Sequence, residues 1–122
     1  MTDLHNLSAH QLWMGYRTGA LSPVEATRAA LKRIAAWEPK INAMYLVDAE
    51  GALAQAKASE QRWRKGQQLS PLDGVPITLK ENIASKGVPT PIGTAAAILT
   101  PSAVDAPPAA RVREAGCVFL GK

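Results

Sequence analysis

The chain has 122 residues, 47% of them hydrophobic and 20% charged, with 14 Lys and Arg against 10 Asp and Glu for a formal charge of +4. That balance suits a folded domain, since intrinsic disorder needs lower hydrophobicity and higher net charge. No apolar run approaches the roughly 20 residues of a membrane helix. The opening MTDLHNLSAHQLW lacks the basic-then-apolar order of a secretory leader, and a lone Cys117 excludes an internal disulfide or a multi-cysteine metal site. A cytoplasmic setting without a membrane partner is expected.

Ser8 is a good N-cap for a helix over 9–18, with Gln11 as its capping-box partner and Leu7 and Leu12 spaced as a hydrophobic staple. Gly19 can close that helix in the left-handed conformation. Ser22-Pro23-Val24-Glu25 combines an N-cap, a first-turn proline and a capping-box glutamate. Val24, Thr27, Leu31 and Ile34 follow at helical spacing, with Arg28, Lys32 and Arg33 off that face. This predicts a helix over 23–37, ended by Pro39. The short apolar run 42–47 reads as a strand. Asp48 caps a helix over 49–65 whose stripe of Ala52, Ala56, Ser59 and Trp63 suits close packing, and Gly66 ends it.

Residues 67–74 are turn-rich, and Val75 to Leu79 are apolar and β-prone. Pro76 cannot donate to a ladder, so it belongs at the start or edge of a strand expected over 76–80. From 84 to 106 the chain is rich in Pro, Gly, Ala and Thr with little period, a length usually functional or packed by something else. Pro107 and Pro108 open a last helix over 107–115, capped by Asp105 and closed by Gly116, and 117–120 reads as a buried strand. The recurring order of helix then apolar strand predicts an α/β fold whose sheet is still being built where the sequence reaches Gly121-Lys122.

Lys80 is the position with most chemical interest. It directly follows the apolar strand, and desolvation there would disfavour its ammonium and leave a neutral general base able to take a serine proton. The plain alternative is a lysine that reaches out to water. His5 and His10 are not on one helical face and have no third ligand nearby, so surface or capping roles are expected and no metal. Glu81 can pair with Lys80 or face solvent, the latter being the simpler expectation. Cys117 reads as a small buried hydrophobe. Ser70, Ser85 and Ser102 have no base beside them, and Gly87 and Gly93 form no phosphate loop, so no cofactor is expected. Arg62-Trp63-Arg64-Lys65 reads as a helix end favoured by the dipole rather than a nucleic-acid patch.

The run Pro71-Leu72-Asp73-Gly74-Val75-Pro76-Ile77-Thr78-Leu79-Lys80-Glu81-Asn82-Ile83 resembles the lysine segment of the amidase signature family. The similarity continues through Lys86 to Thr90 and Gly93-Thr94, resumes over 111–122, and extends back to Leu21 to Glu25 and Ile34 to Asn42. The ordered set covers nearly the whole chain. The resemblance implies an N-terminal part of that family's fold, a mixed β-sheet flanked by helices, incomplete within residues 1–122. Its helical part would run to about residue 66, and its lysine-bearing sheet segment over about 67–122. The implied activity is hydrolysis of a carboxylic amide C–N bond by a Ser–cis-Ser–Lys triad. Lys80 is the lysine matching the motif. Both serines, and the oxyanion donors beside the nucleophile, would lie in a Gly/Ser-rich segment that this sequence does not contain. The implied partner is a small amide substrate, with a homo-oligomer left open, and the 122-residue chain alone is expected to be inactive. Two other readings remain: the amidase-type component of a tRNA-dependent amidotransferase, and a non-catalytic binding or structural module. Asp73, where the family more often has His, and Thr90-Pro91, in place of a Thr-rich pair, depart from the pattern.

Overall fold

The computed structural model describes residues 3–122, so the helical part expected from residue 1 is described from Asp3 onward and Met1 and Thr2 lie outside. A 3-10 turn at Leu4–Asn6 leads into α1 (Ala9–Thr18), α2 (Pro23–Ile41), α3 (Ala49–Arg64), β1 (Pro76–Thr78), α4 (Pro107–Glu114) and β2 (Val118–Gly121). β1 and β2 pair in parallel, with α4 in the crossover between them. Among the described residues no helix is long and apolar enough to cross a membrane.

The helix starts follow from local chemistry. Ser8 and Gln11 form a capping box on α1, and Ser22 and Glu25 form one on α2 behind Pro23. Each box satisfies two backbone N–H groups that a helix start would leave unpaired. Gly19 closes α1 at φ 73°. Asp48 caps α3 by accepting from the Gly51 N–H at 3.0 Å.

Packing divides into two clusters on either side of α2. Val24, Ala52, Ala56, Val118 and Leu120 form one, with Leu31 and Ile34 half-buried against it. The small residues of α3 allow β2 and α2 to approach closely, and burying a side chain such as Val118 is worth ~1.5–3 kcal/mol. Leu12, Tyr16, Ala26 and Val75 form the other, joined by Leu7, Trp63 and Ile77. The Tyr16 hydroxyl donates to the Gly74 carbonyl at 3.1 Å and the Trp63 indole N–H to the Asp73 carbonyl at 2.9 Å. Both aromatics thus tie the helices to the turn that starts β1.

Three expectations need correction. The run 42–47 is not a strand: only Val47 forms an isolated antiparallel bridge, to Gly121. Residues 41–43 are exposed, and the chain meets β2 only at its far end. There Tyr45 and Leu46 N–H donate to the Lys122 carbonyl and the Lys122 N–H to the Leu46 carbonyl. Pro39 does not end α2, which continues to Ile41. The carbonyl left without a donor belongs to exposed Ala35, where water can serve it, and the Glu38 carboxylate holds the Met44 N–H at 2.8 Å beyond the helix. Asp105 is not the cap of α4. Ala106 occupies that position without a side-chain bond, while Asp105 takes the Lys86 N–H at 2.7 Å and the Arg113 guanidinium at 2.8 Å.

Candidate active site

β1 and β2 are short; Lys80 stands two residues beyond the carboxyl end of β1, and Lys122 directly follows β2. In open α/β sheets ligands bind beyond the carboxyl ends of parallel strands. The Leu79 N–H donates to the Gly121 carbonyl at 3.1 Å, which holds the ladder together up to the residue before Lys80. The Ile83 N–H then closes a turn onto the Lys80 carbonyl at 3.0 Å. This turn presents the Lys80 side chain to solvent, where it is exposed.

Glu81 departs from the expectation of a solvated carboxylate. It is half-buried, and its Oε2 is sealed from water with no hydrogen-bond partner. Among the described residues Lys80 and Glu81 form no ion pair with each other. Beside Glu81 lies an open cleft of about 330 Å³, walled by Tyr45, Pro91, Gly93, Thr94 and Leu99.

Lys122 is buried, with only 4% of its surface exposed. Its Nζ lies 3.5 Å from Thr90 Oγ1, which in turn shares a 3.3 Å contact with Ser102 Oγ. Burial holds the Lys122 ammonium below the ordinary lysine value, with the charge of Glu81 acting in the opposite sense. Reasoning from the sequence does not single this residue out. A signal is nonetheless present: an apolar run followed at once by Gly-Lys repeats the order in which the β1 run leads to Lys80.

The other candidates have structural partners. Ser70 Oγ donates to the Ala115 carbonyl at 2.6 Å, and buried Ser85 donates to the Ile83 carbonyl at 3.3 Å. Cys117 is buried, and that burial pushes its thiol up, away from thiolate chemistry. His5 and His10 are exposed, the latter's ring 5.3 Å from that of Trp13. No group of three metal-ligating side chains occurs among the described residues. Arg62, read as part of a solvated helix end, instead grips fully buried Asp73 through two bonds of 2.7 Å. Asp73, one of the two departures from the family pattern, is therefore committed to anchoring α3 to the turn before β1.

The family model described as Amidase matches residues 25–122. The A-type subunit of the glutamyl-tRNA(Gln) amidotransferase from Chloroflexus aggregans is 42% identical over all 122 residues, which cover 25% of that protein. The chain thus spans about a quarter of the length of the curated relatives it matches. Among solved structures, peptide amidase from Stenotrophomonas maltophilia superposes with a TM-score of 0.87 at 32% identity, over 96% of this chain and 24% of that one. A fatty acid amide hydrolase superposes with a TM-score of 0.89 at 26% identity, over 96% of this chain and 21% of that one.

Proposed function

Because this chain belongs to the amidase family, we propose that the whole protein hydrolyses the C–N bond of a carboxylic amide, with Lys80 as its base. The observation that carries this is the position of Lys80. It stands in the sequence run that resembles the family's lysine segment, and at the carboxyl end of β1, where an α/β sheet offers its binding face. In this reading a neutral Lys80 amine accepts a proton from a bridging serine, which takes one from the nucleophilic serine as that oxygen attacks the amide carbon. The proton returns to the departing nitrogen, and water then releases the acid from the acyl-enzyme. Residues 1–122 are the N-terminal part of one domain, helical to about residue 66. They supply the base without the serine pair or the oxyanion donors, so by themselves they are inactive. The lone, buried Cys117 fits a cytoplasmic setting, and a homo-oligomer is compatible with the exposed apolar residues near the cleft.

The test is the pair Lys80→Ala and Lys80→Arg in the whole protein, with folding checked by circular dichroism. Turnover of a primary amide, an anilide and a peptide amide is followed. A positioned general base contributes ~10²–10⁴-fold, so both variants should lose at least that much. Arg fails as well because its guanidinium stays protonated and cannot accept the proton. A well-folded Lys80→Arg enzyme with substantial turnover removes Lys80 from the role of base.

A second reading is favoured by the names of the relatives at 38–42% identity, which belong to glutamyl-tRNA(Gln) amidotransferases. In that case the amide nitrogen passes to glutamyl-tRNA(Gln), and a second polypeptide is required. Co-purification of a second polypeptide, with amide turnover raised by it, selects this reading over a stand-alone hydrolase.

A further inference from the structure

Among the Asp, Glu, Lys and Arg side chains of the described residues, those of Asp73 and Lys122 are the most withdrawn from water. Asp73 is matched by Arg62. Lys122 has no such partner. Its amine has only the long contact to Thr90, and no carboxylate stands within 4.0 Å of it among the described residues. A buried ammonium is costly unless acceptors converge on it. The one acceptor within reach is Thr90, tied to Ser102, at the end of a stretch of chain that begins at Glu81. Glu81, whose sealed Oε2 lacks a partner, acts on the amine through its charge, from beyond 4.0 Å.

That stretch has no helix or strand of its own. Between β1 and α4 it is held by isolated bridges, Ser85 to Val88, Lys86 to Ser102 and Pro89 to Pro101. Lys122, by contrast, is rooted in a junction of backbone bonds. Its N–H and carbonyl are locked to Tyr45 and Leu46, and the preceding Gly121 carbonyl holds the Leu79 N–H. The Ala84 to Val88 part of the loop is already tied to 102–106 by backbone bonds and by Asp105, and a side chain leaving the junction adds a hold at Thr90 beyond them. Tyr45, from the same junction, reaches the Pro89 carbonyl through its hydroxyl at 3.4 Å.

We infer that Lys122 is a positioning residue, whose buried amine meets the Thr90 hydroxyl and clamps the far end of the 81–90 segment that follows Lys80. The role in turnover rests on the reading of Lys80 as base; the clamp itself does not. Loss of the amine removes the positive charge nearest the sealed face of Glu81 and releases Thr90, so the backbone that follows Lys80 loosens while the chemistry of Lys80 is kept.

The test uses the whole protein with Lys122→Met, Glu81→Gln and the double variant. Hydrogen exchange over peptides spanning 80–90 should speed up about tenfold in either single variant, with α2 and α3 unchanged. Turnover of a 4-nitroanilide probe should fall by up to about 10²-fold through kcat, with KM held within about twofold. Because the two residues act through one network, the double variant should lose no more than the worse single variant. Unchanged exchange over 80–90 in folded Lys122→Met overturns the clamp, and so do fully additive losses. If Lys122→Met does not fold, Glu81→Gln, which keeps the side-chain volume, decides by the same exchange readout. Failure of the base reading appears separately: Lys80→Arg then stays active while the exchange result still stands.

Discussion

Removing the Arg62 guanidinium leaves the Asp73 carboxylate wholly buried without its counter-charge. The two side chains meet through paired 2.7 Å bonds, Asp73 also accepts the Leu69 N–H at 2.8 Å, and Arg62 keeps 28% of its side chain in water. The asymmetry sets the magnitudes. Breaking a buried pair typically costs ~3–5 kcal/mol because one charge is stranded. Arg62→Ala strands the fully buried partner and should cost about 3 kcal/mol. Asp73→Asn strands a guanidinium that can still reach water, keeps a side chain of the same shape, and should cost about 1–2 kcal/mol. In the double variant no carboxylate remains to be stranded, so its loss should fall well below the sum of the singles. Urea unfolding of the purified protein reads this as a midpoint lowered by about 1–3 M for Arg62→Ala. The pair also predicts an acid limb. Burial pushes the Asp73 carboxyl up, but the Arg62 and Leu69 bonds outweigh it and leave it lowered. A carboxyl lowered in the folded state gives stability that is complete above the unfolded value of ~3.9 and is lost as pH falls through the folded value. Asp73→Asn should flatten that limb. A loss under about 1 kcal/mol for Arg62→Ala, or additive singles, would refute the idea that Asp73 depends on Arg62.

Gly121→Ala should destabilise by about 3 kcal/mol, because its φ is 153° and an added Cβ would run into the Leu46 carbonyl oxygen. The same urea titration checks it, and a near-neutral result would mean that the 45–48 segment yields freely. Ser22→Ala should cost about 1 kcal/mol and Ser22→Gly only a few tenths, measured the same way, since a glycine leaves the α2 cap open to water. Equal losses from the two would point to a cause other than capping.

What the sequence revealed was mostly what neighbours in sequence decide. The starts of α1 and α2 are written in residues three apart, Ser8 with Gln11 and Ser22 with Glu25, and both form as those spacings predict. The parallel strands declare themselves by apolar runs, and Pro76 opens its strand as its missing N–H requires. Partnerships across the fold are not legible. Asp105 has the position of a helix cap, yet Arg113 and Lys86 claim it from outside the capping geometry. Residues 42–47 have the composition of a strand, but pairing depends on which edge is free, and only Val47 reaches one. At the site, Lys80 stands out by its motif, whereas Lys122 and the buried face of Glu81 become notable only once the strands stand side by side.

The same pairing bears on how the protein is made. Val24, Ala52 and Ala56 pack on Val118 and Leu120, and Gln55 on α3 accepts the Phe119 N–H at 3.0 Å. At synthesis rates of 5–20 residues per second, Val118 follows the end of α3 by roughly 3–11 s. Throughout that interval α2 and α3 can pair on the ribosome with their small-residue stripe uncovered, and β1 has no neighbour. The nascent helices must therefore be kept from other chains until residues 118–121 emerge. A slow codon placed between residues 65 and 117 should lower the yield of folded protein more than one placed after residue 122.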